Sequence, residues 1–301
     1  MLRGPGVVLG IGHDCAVLRL RRGETLAWHV DDQVEGVHFR RAWASFADVG
    51  WKAAGSALSD LAAAGARPLG AQLALELPVE LADRSVLELV DGFVDALRAA
   101  KAPLVGGNVA SRPEGTGLSL SVSVAGAVRR AFTRDGARAG DGLYVSGTPG
   151  LARLGLLLLE AGKKAPRRPI ERLLRPTPLL ALGQELARLR RGRPSAVMDV
   201  SDGLARSAGQ LAAASGLRAV LDEGALPLEE LARFGSGHDP LELALVGGED
   251  YELLVAAPAS FAATRPGRSF KRIGSFEKGR GAFLLGEKGS RDLSGLGFSH
   301  R

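Results

Sequence analysis

Carboxylates recur along this chain where they could do chemistry: at the ends of short apolar strands and inside runs of small residues. Asp14 follows a Gly-x-Gly turn at Gly10 and Gly12, and Asp31 and Asp32 close a strand predicted over 24–30. Asp60 stands alone in AAGSALSDLAAAGARP, residues 53–68. Asp199 and Asp202 flank the end of a strand predicted over 196–200, and Glu249 and Asp250 follow Gly247 and Gly248. A carboxylate on an Ala- and Gly-rich surface is costly unless a cation or hydrogen-bond donors meet it, although Ser59 or Asp60 could equally cap a helix turn. No set of Cys and His ligands accompanies these acids, so their hard oxygens suit Mg²⁺ or Mn²⁺ and not a structural zinc. Magnesium points to phosphate. The chain has no Gly-x-x-x-x-Gly-Lys-Ser/Thr loop and no protein-kinase signature, so a nucleotide would be held by metal and by glycine turns. Neither Ser59 nor Ser201 has a partnered histidine in a recognisable frame, which argues against a serine nucleophile. His38, beside Phe39, reads more readily as a packed histidine than as a ligand.

The elements that must position these groups follow from periodicity. Strands are predicted over 7–12, 15–21, 24–30, 71–77 and 118–128, the last as the alternating LSLSVSVAGAV. Helices are predicted over 46–64, with Gly65 as its stop, and over 83–100, with Val86, Leu89, Val90, Phe93, Val94 and Leu97 on one side. Residues 103–105 read as a strand entering a glycine turn at Gly106-Gly107-Asn108. The second half predicts strands over 142–146, 196–200, 217–221 and 251–256, and helices over 151–161, 179–191 and 204–215. Residues 163–178, basic and interrupted by Pro, read as an exposed connection, and 270–301 as a loose β-rich tail. The charged stretch 129–142 marks a boundary, giving expected domains 1–128 and 129–301.

At 301 residues the chain is near the size where single cores divide. Its 46% apolar and 24% charged content describes a soluble globular protein. The single cysteine, Cys15, excludes an internal disulfide, fits a reducing cytoplasm, and is expected to be a buried thiol without a role. No stretch has the form of a signal peptide or a membrane span, so no membrane partner is expected. The net charge of +6 gathers in runs that contain no aromatic residues, which argues against nucleic acid.

Six blocks carry a resemblance over nearly the whole chain. Gly10-Ile-Gly-His-Asp-Cys-Ala-Val17, Asp31 through Val34-Glu-Gly-Val-His-Phe39, and Leu58-Ser-Asp-Leu-Ala-Ala-Ala-Gly-Ala-Arg-Pro68 lie in the first half. Arg134 through Gly136-Ala-Arg-Ala-Gly-Asp141, Met198-Asp-Val-Ser-Asp-Gly-Leu204 and Gly247-Gly-Glu-Asp-Tyr-Glu-Leu253 follow. In type and order they resemble the thiamine-monophosphate kinases, within the superfamily of aminoimidazole ribonucleotide synthetase. The resemblance implies an α/β N-terminal sheet domain that forms a dimer barrel, an α+β C-terminal domain, and ATP bound between the two. It implies a cytoplasmic homodimer that transfers the ATP γ-phosphoryl in line onto thiamine monophosphate, with several Mg²⁺ ions and no general base. Asp14, Asp31, Asp60, Asp199 and Asp202 are its implied metal ligands, with Asn108 and Asp32 as further candidates. Gly107, Asn108, Arg134 and Ser201 are implied ATP contacts; His38, Glu249 and Phe298 are implied contacts to thiamine phosphate.

This chain also departs from the family pattern. Asn108 stands where the family usually has Asp, which should lower metal affinity, with Asp32 a candidate to compensate. His13 replaces the first acid of an Asp-Asp pair, His29 and Val30 replace hydroxyl residues before Asp31, Ser207 replaces an Asp, and the N-terminal helix is missing or much shortened. These departures leave two alternatives open: a catalytically impaired homologue that still binds nucleotide or thiamine phosphate, and another ATP-dependent enzyme of the superfamily.

Overall fold

A computed structural model describes residues 6–12 and 15–298. Asp14, a candidate ligand, therefore lies outside the described residues, as does His13. The chain divides into two compact units, one of Met1–Ala62, Ala66–Arg130 and Leu174–Leu180, the other of Ala63–Gly65, Ala131–Leu173 and Ala181–Arg301.

In the first unit β1 (Val7–Leu9) and β2 (Val17–Leu18) form a small antiparallel ribbon. β3 (Thr25–Val34), α1 (Phe46–Ala63), β4 (Arg67–Pro78), α2 (Asp83–Ala99), β5 (Leu104–Arg112) and β6 (Ser119–Val128) follow. The four longer strands lie in the order β3-β6-β4-β5. β4 and β5 are parallel, joined through α2, and the other pairs are antiparallel. Alternation along β6 decides the two faces: Leu120, Val122 and Val124 are buried, while Ser121 and Ser123 face the other way.

α1 covers the buried face, and its small residues are the reason it can. It begins at a reciprocal cap: Asp48 donates its backbone N–H to Ser45 Oγ at 3.1 Å, and Ser45 donates its own to Asp48 Oδ2 at 3.1 Å. A β-carbon on Gly50 would sit 2.0 Å from the Leu89 carbonyl oxygen, and one on Gly92 would sit 2.1 Å from that of Ala47. The two helices therefore meet backbone to backbone, an approach only glycine permits.

The second unit contains β7 (Gly142–Ser146), α3 (Leu151–Glu160), α4 (Arg167–Leu174), α5 (Leu180–Arg188), β8 (Ala196–Val200), α6 (Leu204–Ala214) and β9 (Leu217–Asp222). α7 (Glu229–Phe234), α8 (Pro240–Val246), β10 (Glu252–Ala257), β11 (Phe270–Lys278), β12 (Gly281–Gly286) and β13 (Gly289–Asp292) complete it. Its seven-stranded sheet runs β13-β12-β9-β11-β7-β10-β8, antiparallel except for β12 beside β9. Met198, Val200, Leu204, Ala208, Leu211 and Phe276 share one core that α6 closes.

Several expectations are corrected. β3 does not end before the acids but runs through Asp31 and Asp32 to Val34, and β5 runs through Gly106-Gly107-Asn108 instead of turning there. Both are edge strands, where polar residues are tolerated. Gly107 is required because a β-carbon there would meet the Leu73 carbonyl oxygen at 2.4 Å. Asp60 and Ser59 lie inside α1 and not at its start. The connection 163–178 contains α4, whose Pro169 sits in the first turn, where no helical hydrogen bond is lost. The tail is not loose, since β11 and β12 are integral to the sheet. Cys15 is exposed. Among the described residues no helix is long and apolar enough to cross a membrane.

Candidate functional site

In the first unit the pleat of β3 sorts the candidates onto opposite faces. His29, Asp31 and Gln33 alternate onto the side covered by α1, while Trp28, Val30 and Asp32 alternate onto the open side. His29 Nε2 lies 3.1 Å from Asp60 Oδ2, each side chain about one-third exposed at 35% and 33%. One α1 turn earlier, Gln33 Nε2 donates to Ser56 Oγ at 3.2 Å. Asp31 thus sits on the strand between two residues that reach α1 at Ser56 and Asp60. The Gln33 Oε1 atom is buried with no hydrogen-bond partner among the described residues, so this face carries a further oxygen.

The open face presents a different set. Asp32, Ser121, Ala74 and Asn108 occupy one transverse row across β3, β6, β4 and β5. Ser121 Oγ donates to Asp32 Oδ1 at 2.5 Å. Three strand spacings separate Asp32 from Asn108, about 14 Å, too far for both to ligate one ion in the same chain. Asp32 therefore does not replace the charge that Asn108 lacks. Gly107 and Asn108 line a shallow groove of about 270 Å³ with Val30, Gln72, Ser121 and Ser123. An adjoining groove of about 440 Å³ is lined by Cys15, Leu26, Trp28, Gln72 and Val105. Trp28 is 72% exposed there and donates from Nε1 to Ser123 Oγ at 2.6 Å.

His38 closes the turn after β3. Its ring Nδ1 accepts from the Val34 N–H at 3.1 Å, and its own N–H donates to the Val34 carbonyl at 2.9 Å. Glu35 braces the turn, accepting from Leu118 N–H at 3.0 Å and from Arg41 Nε at 2.6 Å.

In the second unit four candidates converge through main-chain bonds. β8 delivers Asp199, 3% exposed, on the face opposite Met198 and Val200, and Ser201-Asp202-Gly203 then turns into α6. Glu249 donates its N–H to the Ser201 carbonyl at 2.7 Å, and Phe298 donates its N–H to the Asp202 carbonyl at 3.0 Å. Gly248 and Gly297 permit this crossing, because a β-carbon on either would lie 2.6 Å from the Ser201 or the Asp202 carbonyl oxygen. Arg206, one turn into α6, pairs its Nε with Asp202 Oδ2 at 3.3 Å. Arg134 is exposed in a segment held beside β8: Val197 donates its N–H to Thr133, and Ser215 Oγ donates to the Arg134 carbonyl at 3.1 Å.

Beneath this turn lies a buried network that sequence reasoning did not assemble. Asp250 is fully buried and accepts from the N–H groups of Gly150, at 2.5 Å, and Ala152, at 2.9 Å, at the start of α3. Burial pushes its carboxyl up to about 7, against the lowering effect of those two N–H groups and of Arg172. Arg172 donates to the Asp250 carbonyl at 2.6 Å and pairs with Glu252, which also accepts from Ser146 Oγ. Glu249 and Tyr251 flank Asp250 with φ of 65° and 51°, a conformation costly for residues other than glycine. Tyr251 is held there by donation to the Val200 carbonyl at 2.8 Å.

Among the described residues no three His, Cys, Asp or Glu side chains stand close enough to hold a metal by themselves. The residues missed from sequence carry only faint signals: Lys52 is the one cation in an Ala, Gly and Ser run, and Arg206 is four residues past Asp202.

Comparison with known proteins adds an independent observation. Residues 12–128 match the AIR synthase related protein N-terminal domain family, and residues 138–284 the corresponding C-terminal domain family. The thiamine-monophosphate kinase of Escherichia coli strain K12 is 40% identical over 261 residues, covering 84% of this chain and 77% of that protein. The thiamine-monophosphate kinase of Aquifex aeolicus is 39% identical, covering 84% and 82%. A solved structure of AaThiL complexed with AMPPCP and TMP superposes with a TM-score of 0.84 at 34% identity, covering 94% of this chain and 89% of that one.

Proposed function

Because the chain belongs to the thiamine-monophosphate kinase family, we propose that it transfers the γ-phosphoryl group of ATP to the phosphate of thiamine monophosphate. An oxygen of the substrate phosphate attacks the γ-phosphorus and the bond to the β–γ bridging oxygen breaks, giving thiamine diphosphate and ADP. That oxygen is already ionised near neutral pH, so no residue need remove a proton from it. The observation that carries this reading is the crossing at the end of β8. There Ser201 and Asp202, read as ATP and metal contacts, are bonded through the backbone to Glu249 and Phe298, read as substrate contacts.

Asp31, Asp60, Asp199 and Asp202 supply carboxylate oxygens, and the orphaned Gln33 Oε1 supplies a further one, so the donor chemistry fits Mg²⁺. Such an ion takes one or two protein carboxylates and completes its shell with water and phosphate. When bound, Mg²⁺ neutralises charge on the two phosphates that must meet. Arg134, Gly107 and Asn108 are proposed to contact ATP, and His38 to contact the substrate. Asp14 joins the ligand set on the resemblance alone.

The open sheet face of the first unit supports a homodimer, since Leu26, Trp28 and Val30 are 45%, 72% and 62% exposed along that face of β3. A Trp28→Glu, Val30→Glu double variant should elute as a monomer in size-exclusion chromatography with light scattering. An unchanged elution mass would remove this face from the interface. The activity itself is tested with purified protein, ATP, Mg²⁺ and thiamine monophosphate, reading thiamine diphosphate by thiochrome fluorescence. No product under conditions where a control kinase works would defeat the assignment.

A further inference from the structure

Lys52 is 2% exposed in the middle of α1, among alanines, glycines and serines. A buried ammonium is costly, and an apolar side chain of similar length would fill the space without that cost. Its Nζ donates to the main-chain carbonyl of His38 at 2.7 Å. That bond completes an unusual restraint on one residue. The N–H of His38 is tied to the Val34 carbonyl, its carbonyl to Lys52, and its ring Nδ1 to the Val34 N–H. The rest of the turn is closed as well: Gly36, in a left-handed conformation with φ 85°, donates to the Phe39 carbonyl at 2.8 Å, and Glu35 is held by Leu118 and Arg41.

A ring nitrogen that accepts from a backbone N–H carries no proton, so the neutral imidazole must be the Nε2–H tautomer. We propose that Lys52 is a positioning residue: its buried ammonium fixes the 34–39 turn so that His38 presents Nε2–H as a donor to an acceptor atom of the phosphorylated substrate. The inference rests on the reading of His38 as a substrate contact. It adds the residue that holds the ring and the tautomer that does the recognising. The cation acts on the carbonyl of His38, so its loss should weaken substrate binding and leave the chemistry at saturation nearly intact.

The test uses the full chain labelled with ¹⁵N-histidine. In the wild-type protein the His38 ring should show an unprotonated Nδ1 and a protonated Nε2; the opposite tautomer, or an even mixture, would overturn the proposal without any variant. In Lys52→Met the ring should become a mixture of tautomers. Affinity for thiamine monophosphate, measured by calorimetry, should fall about tenfold to a hundredfold, the range expected when one hydrogen bond to a charged group is lost. ATP affinity and kcat should change less than about threefold, and Lys52→Arg should recover part of the loss. A single tautomer with unchanged substrate affinity in Lys52→Met would refute the role given to Lys52. His38→Phe separates the two readings. If it leaves affinity for thiamine monophosphate unchanged, the substrate contact at His38 fails; if it weakens binding while Lys52→Met does not, only the inference about Lys52 fails.

Discussion

Replacing Asp250 by Asn tests whether the buried network beneath the Glu249 turn stores a proton. The Asp250 carboxyl is raised by burial from 3.8 to about 7. Between those values the folded chain holds a proton that the unfolded chain has released. Stability from this group is therefore complete below about pH 4 and is lost as pH rises through about 7. Roughly three pH units at about 1.4 kcal/mol each gives a decline of about 4 kcal/mol across the window. Asn cannot titrate, and its single oxygen can satisfy Gly150 or Ala152 but not both in the same way, so Asp250→Asn adds a pH-independent loss of about 1–3 kcal/mol. The assay is urea unfolding of both proteins, followed by circular dichroism at several values between about pH 5 and pH 8. Subtraction removes every group the two share. The difference should shrink steadily with rising pH as the wild-type advantage is lost. A flat difference would show that Asp250 is ionised throughout, held down by the two N–H groups and Arg172, and would refute the argument from burial.

Three further outcomes follow from other contacts. Arg172→Met strands Glu252, whose side chain is 8% exposed, and should cost about 3–5 kcal/mol in urea unfolding. Adding Glu252→Gln should recover much of this, and additive losses would show that the pair is not coupled. Gly92→Ala places a carbon 2.1 Å from the Ala47 carbonyl oxygen, so it should destabilise by about 1–3 kcal/mol or more; an unchanged urea midpoint would mean that the two helices can separate freely. Asn108→Asp should tighten Mn²⁺ binding in the presence of ATP by roughly tenfold, read by electron paramagnetic resonance, and no change would place residue 108 outside the cation site.

The sequence made parts of this architecture plain and concealed others for identifiable reasons. The alternation of β6 and the strand-turn-helix of β8 and α6 are readable because burial on one side leaves a period in the residues themselves. β3 and β5 defeat that reading, since edge strands need no continuous apolar run and the two acids and paired glycines there mimic turn signals. α4 is hidden by Pro169 and the prolines that flank it, and it folds because Pro169, Ile170 and Leu173 are buried. At the candidate site the types of Ser201, Asp202, Glu249 and Phe298 were legible, but their meeting was not. It is made by backbone groups, which every residue shares and no motif encodes. The Asp250, Arg172 and Glu252 network was illegible for a related reason, because Arg172 reaches across 78 residues of chain to a main-chain oxygen.

The two consecutive carboxylates of β3 make the unit unusually exposed to errors of pairing. A slip of one position against β6 would keep an acid on each side of the sheet, so charge alone would not oppose it. The same slip would push the indole of Trp28 under α1 and swing His29 away from Asp60. Misalignment would thus be resisted chiefly by bulk, and a Trp28→Ser substitution should let misregistered chains accumulate during refolding.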